Sequence, residues 1–245
     1  MLKDNIGLAG TVAGTTSISE VSAAHHGLTY RGYSIEDLAA KAMFDEVAYL
    51  LLLGQLPHRH QLNFFQSERI KNQQLSGTLQ SWLQQFPKIA HPMDVLRTTC
   101  SLYGMMHPEH GIDHGLDCAK KLYALFPSIL SYWYQYHYVR HDVHLGDQES
   151  FAGHFLFGLQ GKKPEPIFID MLNTSLILYA EHEFNASTFA ARVTAATESD
   201  FYSAVTSAIG TLKGPLHGGA NEAAMALIQR FDSPVSAERG IREML

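Results

Sequence analysis

Along most of the chain, apolar residues recur at three- and four-residue spacing, the period of an amphipathic helix. The exception is the beginning, where "GLAGTVAGTTSISEV" and "GLTYRGY" are short, β-branched and punctuated by glycine, and read as brief strands or hairpins. After them, Ser34 followed by Asp37 is a helix-start signal for "IEDLAAKA", and "FDEVAYLLLLGQLP" ends with Gly54 at a C-cap and Pro57 just beyond. Helical pieces continue at about 58–72 and 75–86, then from Pro92 through "MDVLRTTCSLYGMM", "GLDCAKKLYALF" and "SILSYWYQYHYVRH". "VHLGDQES" reads as a polar loop. "FAGHFLFGLQG" and "EPIFIDMLNTSLILYAEHEF" then resume the helical pattern, and the second is apolar nearly all round, which places it in the core. "ANEAAMALIQRF" is a helix after Gly218 and Gly219, and Ser233 with Pro234 starts another, "PVSAERGIREML". The expected fold is mostly α.

Composition narrows the function. With 245 residues, 46% of them hydrophobic, the chain can bury a full core as one large domain or one domain plus part of another. A net charge of −6 and an isoelectric point near 6.1 argue against a nucleic-acid or anionic-membrane surface and favour small-molecule chemistry. No run of about 18 apolar residues suggests a membrane span, and "MLKDNIGLAG" lacks the apolar centre of a signal peptide. Cys100 and Cys118 form no disulfide framework or metal spacing, and suit a reducing cytoplasm.

Two stretches carry candidate chemistry. In "GTLKGPLHGGANEAAM", Pro215 stiffens the approach to His217, and Gly218 and Gly219 let backbone pass close to a ligand. The next helix would aim its unpaired N–H groups back toward His217, favouring a neutral imidazole that donates one hydrogen bond, as a carbonyl-polarising histidine does. The plain alternative is a loop histidine beside a helix cap. In "AEHEFNASTFAAR", His182, Asn185 and Ser187 come after the apolar "LILYA", at the inner end of what reads as a core helix. Either Asn185 and Ser187 are simple caps, or His182 holds a ligand carboxylate or carbonyl while Ser187 orients another side chain.

"LTYRGYSIEDLA", "EVAYLLLLGQLP", "HPMDVLRT", "LILYAEHEFNASTFAARV" and "AIGTLKGPLHGGANEAAM" stand in the order and spacing of the citrate synthase family, so the chain resembles that family from about Gly7 to Leu245. Within it, "HPMDVLRT", "SYWYQYHY", "GHFLFGLQGKKP" and "AEHEFNASTF" look most like the bacterial 2-methylcitrate synthases, which condense propionyl-CoA with oxaloacetate. Acetyl-CoA, as in citrate synthase proper, is the alternative acyl donor.

The resemblance implies a mostly α-helical homodimer, with a large helical domain over residues 1–217 that dimerises and binds oxaloacetate, and the first helices of a small domain over 218–245. It implies no cofactor or metal, since the CoA thioester is itself a substrate. It also implies that His217 polarises the thioester carbonyl, that His182 binds oxaloacetate, and that Asn185 and Ser187 lie beside the site with Ser187 positioning His217. Gly218 and Gly219 would give the thioester room. Arg31 and Arg97 belong to family motifs and read as structural. The segment Lys71–Gly77 departs from the Arg-Gly-Leu-Pro-like stretch of many relatives. The family's second histidine, catalytic aspartate and carboxylate-gripping arginines are expected beyond Leu245, so a molecule ending there is expected not to turn over substrate.

Other classes fare less well. The histidines of "HPEHGIDH" (His107, His110, His114) and "HYVRHDVH" (His137, His141, His144) could suggest a metallohydrolase, but no His-Glu-x-x-His motif accompanies them. "HGGAN" resembles an esterase oxyanion loop, yet the sequence has no Gly-x-Ser-x-Gly elbow. A non-catalytic helical dimerisation or binding module is the third alternative.

Overall fold

The computed structural model describes residues 12–22, 27–109, 111, 114–139, 142–146 and 150–244. A small antiparallel sheet comes first, in the order β1 (Ser19–Ser22), β2 (Gly27–Tyr30) and β3 (Tyr33–Ser34), with Ser19 opposite Tyr30 and Tyr30 opposite Tyr33. Between β2 and β3 the chain turns on two residues, Arg31 (φ 51°) and Gly32 (φ 87°), the paired positive angles of a tight I′-type hairpin.

Helices make up most of the remaining chain. The Ser34 hydroxyl accepts the Asp37 N–H (3.1 Å) to start α1 (Ile35–Lys41), and α2 (Phe44–Leu53) stops at Gly54 in the left-handed region (φ 88°), as the sequence predicts. Next come α3 (Arg59–Asn72), α4 (Gly77–Gln85) and α5 (Pro92–Met106), with His91 capping α5 through its ring nitrogen and Pro92 in the first turn. The order continues with α6 (Gly115–Tyr134), a π-helical turn (Gln135–Val139), α7 (Phe151–Gln160), α8 (Pro166–Tyr179), α9 (Ala186–Ala195), α10 (Phe201–Leu212), α11 (Gly219–Ile228) and α12 (Pro234–Met244). Ser233 caps α12 through the Ser236 N–H, with Pro234 first in the helix. No described helix is long and apolar enough to cross a membrane.

One core joins α4, α5, α6 and α10 through Leu79, Leu83, Val95, Cys100, Leu122, Ile129, Trp133 and Tyr202. α5 and α10 approach so closely at Gly104 that a Cβ there would lie 2.6 Å from the Tyr202 Cβ. A second core joins the sheet to α1, α2 and α8 through Tyr30, Leu38, Val47, Leu50 and Ile177. Between the helices runs a buried polar link. Asp45 on α2 pairs with Arg69 on α3 (3.1 Å) and accepts from the Tyr123 hydroxyl (2.8 Å) on α6 and from the Phe151 N–H (3.2 Å) on α7.

The structure departs from the sequence expectations in two elements. The helical pieces on either side of Pro127 are one helix: Pro127 is buried inside α6 between Leu125 and Ile129, and packing on both sides outweighs the roughly 3 kcal/mol that an interior proline costs. α8 is not a core helix. Only Ile177 is fully buried in it, while Ile167, Phe168, Met171, Leu178 and Tyr179 are exposed. The neighbours α1, α2 and α7 reach α8 without covering all of its apolar surface, and an all-round apolar pattern does not say which side receives a partner.

Candidate active site

Helix α8 ends at Tyr179, so His182 lies not at the inner end of a core helix but in the non-helical loop leading to α9, where its side chain is exposed. That loop is fixed from beneath by the sheet. The buried Tyr30 hydroxyl donates to the Ile177 carbonyl (2.9 Å) and accepts the Glu181 N–H (3.2 Å). Ser19 Oγ donates to the Glu181 carboxylate (3.2 Å) and accepts the Glu183 N–H (3.0 Å), while the Val21 N–H donates to the Glu183 carboxylate (2.9 Å). Glu183 turns the chain at φ 53°. Both neighbours of His182 are therefore tied down. Burial pushes the Glu181 carboxyl above its ordinary value, with the Ser19 hydrogen bond opposing, and burial raises the Tyr30 phenol likewise.

Three of the residues singled out in the sequence come together just beyond. Asn185 is the N-cap of α9, its Oδ1 accepting the Thr188 N–H (2.9 Å) and the Ser187 hydroxyl (2.7 Å). Ser187 Oγ lies 2.9 Å from His217 Nε2, and the Ser187 N–H donates to the same nitrogen (3.3 Å). A hydroxyl can turn, but a backbone N–H can only donate. The hydroxyl has a single hydrogen to share between Asn185 Oδ1 and Nε2, so the backbone N–H is the donor held on Nε2; with that bond made, a neutral ring carries its proton on Nδ1. Ser187, in the first turn of the helix that Asn185 caps, thus lies against the His217 ring.

The turn from Lys213 to Gly218 that carries His217 differs from the sequence expectation. The first N–H groups of α11 are not free to face His217: Gly219 donates to the Gly214 carbonyl (3.1 Å), Ala220 to that of His217 (3.0 Å) and Asn221 to that of Gly218 (3.1 Å). The turn is tight enough to use these donors itself. The glycines serve the same closure. A Cβ on Gly218 would meet the Leu212 carbonyl oxygen at 2.6 Å, and one on Gly219 the Lys213 carbonyl oxygen at 2.8 Å, so the chain's own backbone occupies the room they make.

Arg31 and Arg97 bond within the fold, as expected. Arg31 reaches Ser17 Oγ (2.9 Å) and the Leu51 carbonyl (3.4 Å), and Arg97 pairs with Asp94 (2.8 Å). Among the described residues no group of three or more histidine, cysteine or acidic side chains gathers as a metal site. His107 packs on the Tyr103 ring, His137 bonds the Leu83 carbonyl and His144 pairs with Asp142, while His110 and His141 lie outside the described residues. Sequence reasoning missed Tyr30 and Ser19. Tyr30 stands in the quoted "YRGY", but nothing local tells that its hydroxyl reaches Glu181, 151 residues further along the chain.

Comparison with known proteins bears on the same residues. A family model described as citrate synthase, C-terminal domain, matches residues 7–245. The chain is 50% identical over 233 residues to a 2-methylcitrate synthase of Shewanella oneidensis, covering 94% of this chain and 62% of that protein. It is 45% identical over 222 residues to a citrate synthase of Mycolicibacterium smegmatis, covering 89% and 59%. Among solved structures it superposes on citrate synthase from Thermotoga maritima with a TM-score of 0.86 at 32% identity, covering 97% of this chain and 63% of the other. A ternary complex of the Thermoplasma acidophilum citrate synthase with carboxymethyl coenzyme A and oxaloacetate gives 0.86 at 29%, covering 94% and 61%. The chain thus spans about three-fifths of the length of these relatives. With the all-α architecture and the family model running through both the His182 loop and the His217 turn, this chain belongs to the citrate synthase family.

Proposed function

We propose that this chain carries the oxaloacetate-binding and carbonyl-polarising part of an acyltransferase that joins propionyl-CoA to oxaloacetate, giving 2-methylcitrate and CoA. The observation that carries the reading is His217 Nε2 held 3.3 Å from the Ser187 N–H and 2.9 Å from its Oγ. With Nε2 held by Ser187, Nδ1–H is the donor left to meet a thioester carbonyl. A base removes a proton from the carbon beside that carbonyl, negative charge builds on the oxygen, the enolate carbon attacks the ketone of oxaloacetate, whose oxygen takes up a proton, and water then hydrolyses the thioester to release CoA. The thioester α-proton is very weakly acidic, so a donor at the developing charge helps most there; losing one such donor typically costs about 3 kcal/mol of barrier.

His182, exposed on a loop whose two flanking glutamates are held by the sheet, is the residue assigned to oxaloacetate. In this reading residues 1–217 form the large domain, which makes a homodimer, and the turn at His217 leads into a second domain that begins at Gly218. Neither substrate needs a resident cofactor. Acetyl-CoA is the second reading for the acyl donor, favoured by the 45% identity to a citrate synthase; the one methylene of difference is worth about 1–3 kcal/mol in a pocket.

Binding tests the reading on the chain itself. Titrating oxaloacetate into histidine-labelled protein should shift the His182 ring signals in NMR, and His182→Ala should weaken uptake about tenfold or more. Ring signals that stay put at millimolar oxaloacetate, or unaltered affinity in His182→Ala, overturn it. Thiol release from propionyl-CoA against acetyl-CoA in the assembled enzyme decides the acyl group.

A further inference from the structure

We propose that the first turn of α5 is a clasp that positions His217, with Asp94 and His91 as positioning residues gripping the two ends of its turn. Asp94 Oδ2 accepts from Lys213 Nζ at 2.5 Å, and Lys213 is the residue at which α10 ends and the His217 turn begins. On α11, beyond His217, the Glu222 carboxylate lies 3.0 Å from His91 Nε2. His91 Nδ1 accepts the Met93 N–H (3.1 Å) as the cap of α5, which leaves the ring proton on Nε2 to donate to Glu222. One helix turn thus holds the chain on both sides of the candidate polarising residue.

The charges suit this task. Asp94 stands in the first turn of α5, where the helix dipole favours a carboxylate, and its other oxygen pairs with Arg97 at 2.8 Å. Arg97 in turn lies beside Gly210 of α10, where an added Cβ would touch its Cδ at 3.5 Å. The Lys213 hydrogen bond, aided by the Lys213 and Arg97 charges and opposed by desolvation, holds the Asp94 carboxyl below its ordinary value. Both partners are partly exposed, with Lys213 and Asp94 side chains 36% and 30% accessible, and such pairs add little to global stability. Their effect is local. Between the anchors the turn is closed by Gly219 and Ala220 donating to the Gly214 and His217 carbonyls, and the ring meets half-buried partners at Ser187. Inside the turn the His217 N–H also donates to the Gly214 carbonyl (2.9 Å), so the clasp sets where this closed turn stands against Ser187 rather than its internal shape.

The clasp rests on His217 being the polarising residue, so its test reads the ring itself and not turnover. The experiment compares ¹⁵N signals of the His217 ring and thermal unfolding in wild type, Asp94→Asn, Lys213→Met and Lys213→Arg. In Asp94→Asn and Lys213→Met the Nδ1 and Nε2 signals should move toward each other as tautomers average. The unfolding midpoint should stay close to wild type, and Lys213→Arg should restore the ring signals. Wild-type ring signals in both disrupting variants overturn the clasp, as does global loss of structure in both, which would make the pair a folding element instead. If oxaloacetate fails to shift His182 while the clasp variants behave as expected, the functional reading falls and the clasp stands.

Discussion

Replacing Tyr30 by phenylalanine probes the link between the small sheet and the His182 loop with minimal change of shape. Tyr30 is 0% exposed, and its hydroxyl is donor to the Ile177 carbonyl and acceptor for the Glu181 N–H. Phenylalanine keeps the ring in the core of Leu38, Val47 and Leu50 and strips the Glu181 N–H of its partner, while the Ile177 carbonyl keeps the Ala180 N–H at 3.3 Å. One buried group left unpaired costs about 1–3 kcal/mol. In a chain of this size about 1 kcal/mol moves the midpoint by roughly 2–4 °C, so the expected fall is roughly 2–12 °C. Thermal unfolding by circular dichroism reads it, with the half-exposed Tyr33→Phe as a control expected to stay within about 1 °C. Amide exchange at Glu181 should accelerate in Tyr30→Phe. A midpoint shift below about 1 °C with unchanged Glu181 exchange would refute the assignment of the hydroxyl as the loop's anchor.

Other perturbations test the same geometry. Asp45→Ala leaves Arg69 buried opposite no carboxylate and should cost about 3–5 kcal/mol in denaturant unfolding, whereas an unaltered midpoint would mean that the pair is dispensable. His154, buried on α7 with Nε2 2.9 Å from Ser128 Oγ, has its pKa lowered from 6.5 to about 4 by desolvation and the nearby Arg69 charge. The folded value lies below the unfolded one. Its stabilising contribution is therefore complete above pH 6.5 and is lost as pH falls toward about 4, amounting to about 3 kcal/mol. His154→Gln should flatten the stability–pH curve between about pH 6.5 and 5; an unchanged slope would assign the acid loss elsewhere. Gly218→Ala drives a Cβ against the Leu212 carbonyl at 2.6 Å and should destabilise by about 1–3 kcal/mol while displacing His217 from Ser187, readable as a changed Ser187 amide shift.

The local signals in the sequence translated well into structure. Ser34, Gly54, Asn185 and Ser233 mark helix ends through interactions that span three or four residues, and such interactions are written in the sequence itself. His217 and Ser187 were legible as types of residue in suggestive settings. Their meeting was not derivable from spacing, because α9 and α10 must first pack together. Where tertiary packing decides, the pattern misleads: Pro127 reads as a break and is buried in a continuous helix, and α8 reads as core while much of its apolar surface is exposed. The glycines beside His217 obey the same logic. Sequence shows that a Cβ is unwelcome there, but only the folded turn shows that the Leu212 and Lys213 carbonyls exclude it.

The central claim is that His217 presents a proton on Nδ1 because Ser187 occupies Nε2. A two-dimensional ¹⁵N spectrum of the labelled imidazole near pH 7 reads this directly. The account expects Nδ1 at the position of a protonated ring nitrogen and Nε2 at that of a hydrogen-bonded acceptor, with both signals shifted in Ser187→Ala. A proton resident on Nε2 would leave Nδ1 without a hydrogen to donate and would contradict the assignment of His217 as the carbonyl-polarising residue.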